Sequence, residues 1–305
     1  MPVIISAADC KIVSIETAPQ TTKKMNNRMD SLKPNSVRKI LFTDLDGTVL
    51  DHDFQMHPAD VELFQKGHPE VEIIIATGRP MSSIKKVLGY NNLFVNQPLP
   101  VAAVTMNGAV YYGPGEKLLG QNPFPIEVQR ELIAMLAQFR HLTVMLQTPH
   151  ASHLMIEQPQ WNNYLTRLIA DLQPYSDQPE LRFMKMLVYS PHPADLLPVR
   201  DALLASGLPA DGSSSMECLF EISPTGITKL TGIRSLLAAR GQSGVPYFAA
   251  GDQGNDLEML SEAALGFAPA SGSEKARAAA GQIINTAASG MLGPAVNHIL
   301  MSCCA

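Results

Sequence analysis

Five consecutive residues, Asp44-Leu45-Asp46-Gly47-Thr48, carry the sharpest chemical signal in the chain. Alternate residues of a strand share a face, so two carboxylates at i and i+2 leaving a strand end come close together. One can attack an electrophile while its neighbour handles protons. Asp44 is the candidate nucleophile, and Asp46 the acid/base that protonates a leaving oxygen and later deprotonates water. Gly47 lets the chain turn sharply behind them. An acidic turn without chemistry would carry the same letters, so the motif needs company elsewhere in the sequence.

Gly251-Asp252-Gln253-Gly254-Asn255-Asp256 supplies it, with two carboxylates and two amides between 252 and 256. These are oxygen donors of the kind a hard cation takes. Mg²⁺ accepts one or two protein carboxylates and fills its other positions with water and substrate phosphate. Asp252 with Asp44 supplies those carboxylates, and the Asp46 carbonyl could add an oxygen; a helix N-cap cluster has the same composition. Thr77-Gly78-Arg79-Pro80 sits where an apolar run gives way to a helical pattern, with Pro in the first turn. Its hydroxyl and free N–H groups suit an anion site or an ordinary Thr cap. Lys229, near another helix start, would hold phosphoryl oxygens and offset the crowding of aspartates, unless it is one more solvated lysine.

A scaffold must bring 44, 77, 229 and 252 together. ILFT (40 to 43) runs into DLDGT, VEIIIA (71 to 76) into TGRP, VAAVTM (101 to 106) into NGA, and VPYFAA (245 to 250) into GDQGND. Continuous apolar strands of this length predict an α/β fold: a parallel sheet covered by helices on both faces, three layers in all. In such sheets the ligand site lies beyond the carboxyl ends of the strands, which puts all four polar clusters on one rim.

The middle of the chain has another texture. TVMLQT (143 to 148), HLMIEQ (153 to 158), LRFMKMLVYS (181 to 190) and MECLFEIS (216 to 223) are strand-like, while 126 to 139 and 194 to 206 have helical spacing. Asp46 and Thr77 are 31 positions apart, but Thr77 and Lys229 are 152 apart, so an extra unit must sit in the second gap. We expect an α+β unit over 113 to 223, bordered by turn-rich YYGPGE and DGSSS, inserted between core segments 39 to 112 and 224 to 305. Within it Lys185 and Glu221 are charges embedded in apolar strands. Either they point at a substrate or they pair with each other on a solvated face. His150 and His153 have an H-x-x-H look but no acidic third ligand nearby, and read as exposed loop residues. Trp161 and Tyr164, at helical spacing, read as core.

In order and context these motifs resemble the haloacid dehalogenase superfamily of phosphatases, specifically its Cof-type branch: DLDGT, ATGRP, GITK, then GDQGND followed by LEML. NGA at 107 to 109 and the run FEISPTGITK are similar as well, and the resemblance covers about 39 to 295. It implies a Rossmann-like core with a large inserted cap that covers the site and selects the substrate. It further implies Asp44 as nucleophile, Asp46 as acid/base, and Thr77 and Lys229 as phosphate ligands, joined by Leu45 and Gly78. Asp252 would hold Mg²⁺ together with Asp44 and Asp46, Asn255 would contact phosphate, and Asp256 would support the metal waters or Lys229. The implied activity is a Mg²⁺-dependent phosphomonoesterase acting on a sugar phosphate or similar small phosphorylated metabolite through an aspartyl phosphate. A phosphomutase or phosphotransferase would use the same site. A non-catalytic phosphometabolite-binding regulator would keep it too, although binding alone has no need of Asp46.

Composition bounds the rest. With 305 residues, 46% hydrophobic and 17% charged, the chain can bury a sizeable core. A net charge of −5 gives no basic field to gather nucleic acid or an anionic membrane. Cysteines at 10, 218, 303 and 304 are too sparse for a disulfide framework, which points to a reducing, cytoplasmic setting. No apolar run approaches the roughly 18 residues of a membrane span, and Asp9 and Lys11 interrupt the stretch where a signal peptide needs an apolar core. Residues 1 to 38, with six Lys/Arg against three Asp/Glu, read as a mobile leader. The acids Asp9, Glu16 and Asp30 argue against a transit peptide.

Overall fold

The first apolar runs form β1 (Lys39–Thr43), β2 (Val71–Ala76) and β3 (Ala103–Thr105), extended by β4 (Val110–Gly113) and β5 (Lys117–Gln121). The computed structural model describes residues 38–161, 169, 171–178 and 180–302, so the expected leader up to 37 and Tyr164 lie outside the described residues. A second group follows: β6 (Thr143–Gln147), β7 (Ser152–Ile156), β8 (Leu172–Pro174), β9 (Lys185–Tyr189), β10 (Ala210–Met216) and β11 (Leu219–Pro224). The chain then returns to the first sheet with β12 (Phe248–Ala250), β13 (Leu265–Pro269) and β14 (Gln282–Ile284).

Among the described residues the first sheet has the order β14-β13-β12-β1-β2-β3-β4-β5. It is parallel from β14 through β3 and antiparallel beyond. Phe42 of β1 pairs with Ile74 on one side and Ala249 on the other. Alternate residues of its central strands enter two apolar layers. Leu41, Ile73 and Ile75 pack with helices α1 (Pro58–Lys66), α2 (Met81–Tyr90) and, at the end of the chain, Leu292–Met301. Ile40, Phe42 and Ile74 face the other layer of helices, described below. Strands buried on both faces have to be apolar throughout, which is why these runs lack polar alternation.

The second sheet, order β10-β11-β9-β6-β7-β8, is antiparallel except for the β7/β8 pair. Helices α3 (Ile126–Leu136) and α4 (Leu197–Ser206) cover one face, where Leu132, Leu136, Val199 and Leu203 meet Val144, Met186, Val188 and Phe220. Lys185 and Glu221 point to the opposite face with Leu187, Tyr189 and Leu219. After β11, α5 (Lys229–Ala239), α6 (Leu257–Glu262) and α7 (Glu274–Ala279) form the second helical layer of the first sheet. The fold is thus a three-layer, Rossmann-like α/β core with an inserted α+β cap.

Several expectations need correction. β5 falls inside the stretch assigned to the insert, yet it pairs with β4 in the first sheet, so strands of the insert begin only at Thr143. Residues 117 to 121 give little sequence signal because they form an edge strand with mostly exposed side chains. DGSSS, expected as a turn, belongs to β10: its backbone completes the ladder with β11 although its side chains have low strand propensity. His153 is no loop residue. It lies on β7, buried, its ring edge-on to Phe183 at 5.8 Å, and burial lowers its pKa; His150 is exposed. Trp161 packs edge-on against Tyr189 as a core residue would.

Candidate active site

The Asp44 N–H donates to the Ala250 carbonyl at 2.9 Å, which ties the end of β1 to the end of β12. From this point the chain continues toward β2 on one side, while β12 leads on to β13 on the other, the crevice where open α/β sheets bind ligands. Gly47, at φ +75°, reverses the chain, and the N–H groups of Thr48, Val49 and Leu50 all donate to the Leu45 carbonyl. A Cβ on Gly47 would land on the Asp252 carboxylate, so only glycine admits Asp252 this close. Thr48 Oγ1 then donates to Asp252 Oδ1 at 3.1 Å.

Lys229 is the first residue of α5, whose start is fixed by a reciprocal cap between Thr228 and Thr231. Its ammonium has no solvent exposure and lies 2.7 Å from Asp44 Oδ1 and 2.6 Å from Asp256 Oδ1. The other Asp256 oxygen accepts from the N–H groups of Asp252 and Gln253, at 2.9 and 3.0 Å. Asp256 therefore braces Lys229 and the 252 loop.

The ammonium pairs with two of three clustered buried carboxylates; oxygens of Asp44, Asp252 and Asp256 lie within 4.8 Å of one another. Burial raises the Asp44 pKa well above its usual value; Lys229 opposes the rise, and Asp256, Asp252 and Asp46 add to it. Burial, and next Asp256, push Asp252 up to about 6 against the hydrogen bond from Thr48 and the charge of Lys229. For Lys229 burial favours the neutral form, but Asp256 and Asp44 outweigh it and hold the proton more tightly than usual. The surplus of negative charge and the all-oxygen donor set fit a hard divalent cation. Asp44 and Asp252 are the donors available for it, because both Asp256 oxygens are engaged.

Asp46 behaves differently. Its side chain is 43% exposed and turns to Arg79, whose Nε and Nη2 each donate to one carboxylate oxygen at 2.6 Å. Its carboxylate is thus outside the buried cluster that sequence reasoning associated with the metal. Arg79 in turn lies 5.0 Å from the centre of the Phe54 ring. Thr77 is buried at the end of β2 and its Oγ1 accepts from the Arg79 N–H at 3.2 Å. Asn255 Nδ2 donates to Asn107 Oδ1, and Asn107 Nδ2 donates to Glu221 Oε2 at 2.8 Å. Lys185 and Glu221 do pair, at 3.2 Å, but the face they share is buried against the core and not solvated.

All the core residues singled out from sequence therefore converge on one rim. Sequence reasoning gave no role to three others: Thr48, which holds Asp252; Arg79, which holds Asp46; and Asn107, which holds Asn255. The signal was present in DLDGT, TGRP and NGA, where each residue follows a strand end.

Comparison with known proteins agrees with this geometry. A family model described as haloacid dehalogenase-like hydrolase matches residues 41–292. A solved sugar phosphatase of haloacid dehalogenase subclass IIB aligns over 86% of this chain and 98% of its own, with TM-score 0.67 and 20% identity. A protein from Thermotoga maritima aligns over 84% and 97%, with TM-score 0.71 and 20% identity. A haloacid dehalogenase-like hydrolase from Bacteroides thetaiotaomicron aligns over 81% and 93%, with TM-score 0.67 and 22% identity. A curated relative, the chloroplastic endoribonuclease YBEY of Arabidopsis thaliana, is 26% identical over 295 residues. That match takes in 88% of this chain and 47% of the relative, so the chain spans about half the relative's length. With the family model running from β1 into the last helix and the fold shared across these structures, the chain belongs to the haloacid dehalogenase-like hydrolases, in their Cof-type branch.

Proposed function

We infer that the protein is a Mg²⁺-dependent phosphomonoesterase that acts on a small phosphorylated metabolite, a sugar phosphate or similar, through an aspartyl phosphate on Asp44. The observation that carries this reading is Asp44 itself: a buried carboxylate at a strand end, 2.7 Å from a buried ammonium, with a second aspartate two residues on. Lys229 neutralises part of the negative charge that would otherwise repel a phosphate dianion. A Mg²⁺ ion held by Asp44 and Asp252 would supply the remaining charge neutralisation.

In the first half-reaction an Asp44 oxygen bonds to phosphorus as the ester oxygen leaves, and Asp46 gives that oxygen a proton. In the second, Asp46 takes a proton from water as the water oxygen bonds to phosphorus, and Asp44 departs as a carboxylate. The bidentate Arg79 bond matches the carboxylate form of Asp46 used in the second step. Donating a proton in the first step requires one Asp46 oxygen to leave Arg79, and its exposure leaves room for that movement.

A ribonuclease activity is not proposed. The net charge of −5 supplies no electrostatic footprint for a polynucleotide. The test is a panel of phosphorylated metabolites assayed for Mg²⁺-dependent phosphate release, with Asp44→Asn alongside. The amide cannot attack phosphorus, so turnover should vanish while circular dichroism stays native. Near-wild-type turnover by Asp44→Asn protein would refute the phosphoaspartate route.

A further inference from the structure

Lys185 and Glu221 are buried charges that the chemistry above leaves unused. They sit on adjacent antiparallel strands of the cap, and each also reaches the core. Lys185 Nζ donates to the Gly78 carbonyl at 2.7 Å, and Glu221 Oε2 accepts from Asn107 Nδ2. A buried ion pair is weak evidence for stability, since desolvating both groups offsets much of their attraction. What this pair touches says more about its role.

The Thr77-Gly78-Arg79 loop has all three carbonyls held. Thr77's accepts from the Asn107 N–H at 3.1 Å and Arg79's from the Met106 N–H at 3.2 Å, both within the core. Gly78's is held by Lys185, from the cap. The peptide between Gly78 and Arg79 is planar, with C=O and N–H pointing opposite ways, so fixing one end aims the other. Its N–H donates to Thr77 Oγ1. With that oxygen accepting from the loop, the Thr77 hydroxyl proton is free to be donated into the site. The second limb runs from Glu221 through Asn107 to Asn255 Nδ2 and sets the orientation of that amide.

We propose that Lys185 and Glu221 are positioning residues for phosphate binding: through Gly78 they aim the Thr77 hydroxyl, and through Asn107 they aim the Asn255 amide. This rests on the phosphohydrolase reading and adds to it a dependence of phosphate affinity on the cap being seated. Both limbs end on groups expected to meet the phosphate, which every substrate shares. Loss of the pair should therefore weaken all substrates alike, whereas a direct contact to the leaving group would weaken them unequally.

The experiment is calorimetric titration of inorganic phosphate, with Mg²⁺ present, into wild type, Lys185→Met, Thr77→Val and the double variant. Loss of an oriented hydrogen bond to a charged ligand should weaken binding about ten- to a hundredfold in Lys185→Met. Because Lys185 acts through the Thr77 hydroxyl, adding Lys185→Met to Thr77→Val should cost much less than it does in wild type. Full additivity, or unchanged phosphate affinity in Lys185→Met, would overturn the proposal. In steady-state kinetics the kcat/KM loss should be uniform across the substrate panel, and a scattered loss would overturn it in favour of leaving-group contact. Should Lys185→Met not fold, Lys185→Met with Glu221→Leu removes both charges together and should show at least the same loss. Failure of wild-type protein to bind phosphate or release it from any substrate would sink the parent reading. Binding by wild type with additive losses would sink the relay alone.

Discussion

Lys229→Met is the most revealing single perturbation of the buried charge cluster. It replaces the ammonium that stands 2.7 Å from Asp44 and 2.6 Å from Asp256 with an apolar group of similar length, in a place without solvent access. Removing one partner of a buried ion pair destabilises by about 3–5 kcal/mol, and here one cation serves two partners. An upper bound comes from the protein's way out, which is to protonate one carboxylate. For a group with an unfolded pKa near 3.9 that costs about 1.4 kcal/mol per pH unit above it, or about 5 kcal/mol at pH 7.5 and about 2 kcal/mol at pH 5.5. The sign follows from linkage: a carboxylate whose pKa is raised in the folded state contributes stability below its unfolded pKa. That contribution is lost as pH rises through the folded value. In chelator, urea unfolding should therefore show Lys229→Met less stable than wild type by about 3–5 kcal/mol at pH 7.5, with a smaller deficit at pH 5.5. Mg²⁺ should stabilise the variant more than the wild type, because a divalent cation then meets carboxylates with no competing ammonium. A deficit under about 1 kcal/mol at pH 7.5, or one that does not change with pH, would refute the view that Lys229 holds these carboxylates together.

Two more outcomes follow from the site. Arg79→Ala frees Asp46 and should lower kcat by roughly tenfold or more with little change in KM, while Arg79→Lys, which lacks the planar fork, should rescue only part of it; an unchanged kcat in Arg79→Ala would dismiss the orienting role. Asp252, pushed up to about 6 by burial, must shed its proton to bind a cation, so Mg²⁺ affinity measured by calorimetry should fall about fivefold between pH 6 and pH 5 and level off well above 6. The metal-free protein should gain stability from this raised group over the same descent in pH, and a flat Mg²⁺ affinity from pH 7.5 to 5 would exclude Asp252 as a ligand.

The parts of this site that could be read from the sequence are those whose chemistry is local. Asp44 and Asp46 declare themselves because i and i+2 at a strand end lie together in any such sheet, and the 252 to 256 cluster is compact for the same reason. The parts that could not be read act through partners remote in the chain. Arg79 orients an aspartate 33 positions away, Lys185 binds a carbonyl 107 positions away, and Asn107 bridges to Glu221 across 114. No periodicity encodes such meetings; they depend on where one face of the inserted sheet lands on the core. The loop between β3 and β4 adds a second kind of opacity. Met106 and Asn107 both adopt left-handed backbone, at φ 53° and 55°, a conformation disfavoured for methionine. Nothing in the letters MNG demands it. What maintains it is tertiary: the two N–H groups donate to the Arg79 and Thr77 carbonyls, and Gly108 next to them packs where a Cβ would strike the Thr228 carbonyl at the start of α5. Strain of this sort persists where its surroundings over-determine it. Here those surroundings are the Thr77-Gly78-Arg79 loop on one side and the helix that begins with Lys229 on the other. One strained loop therefore couples the two expected phosphate-binding elements, and replacing Gly108 should disturb Thr77 and Lys229 together although it touches no ligand.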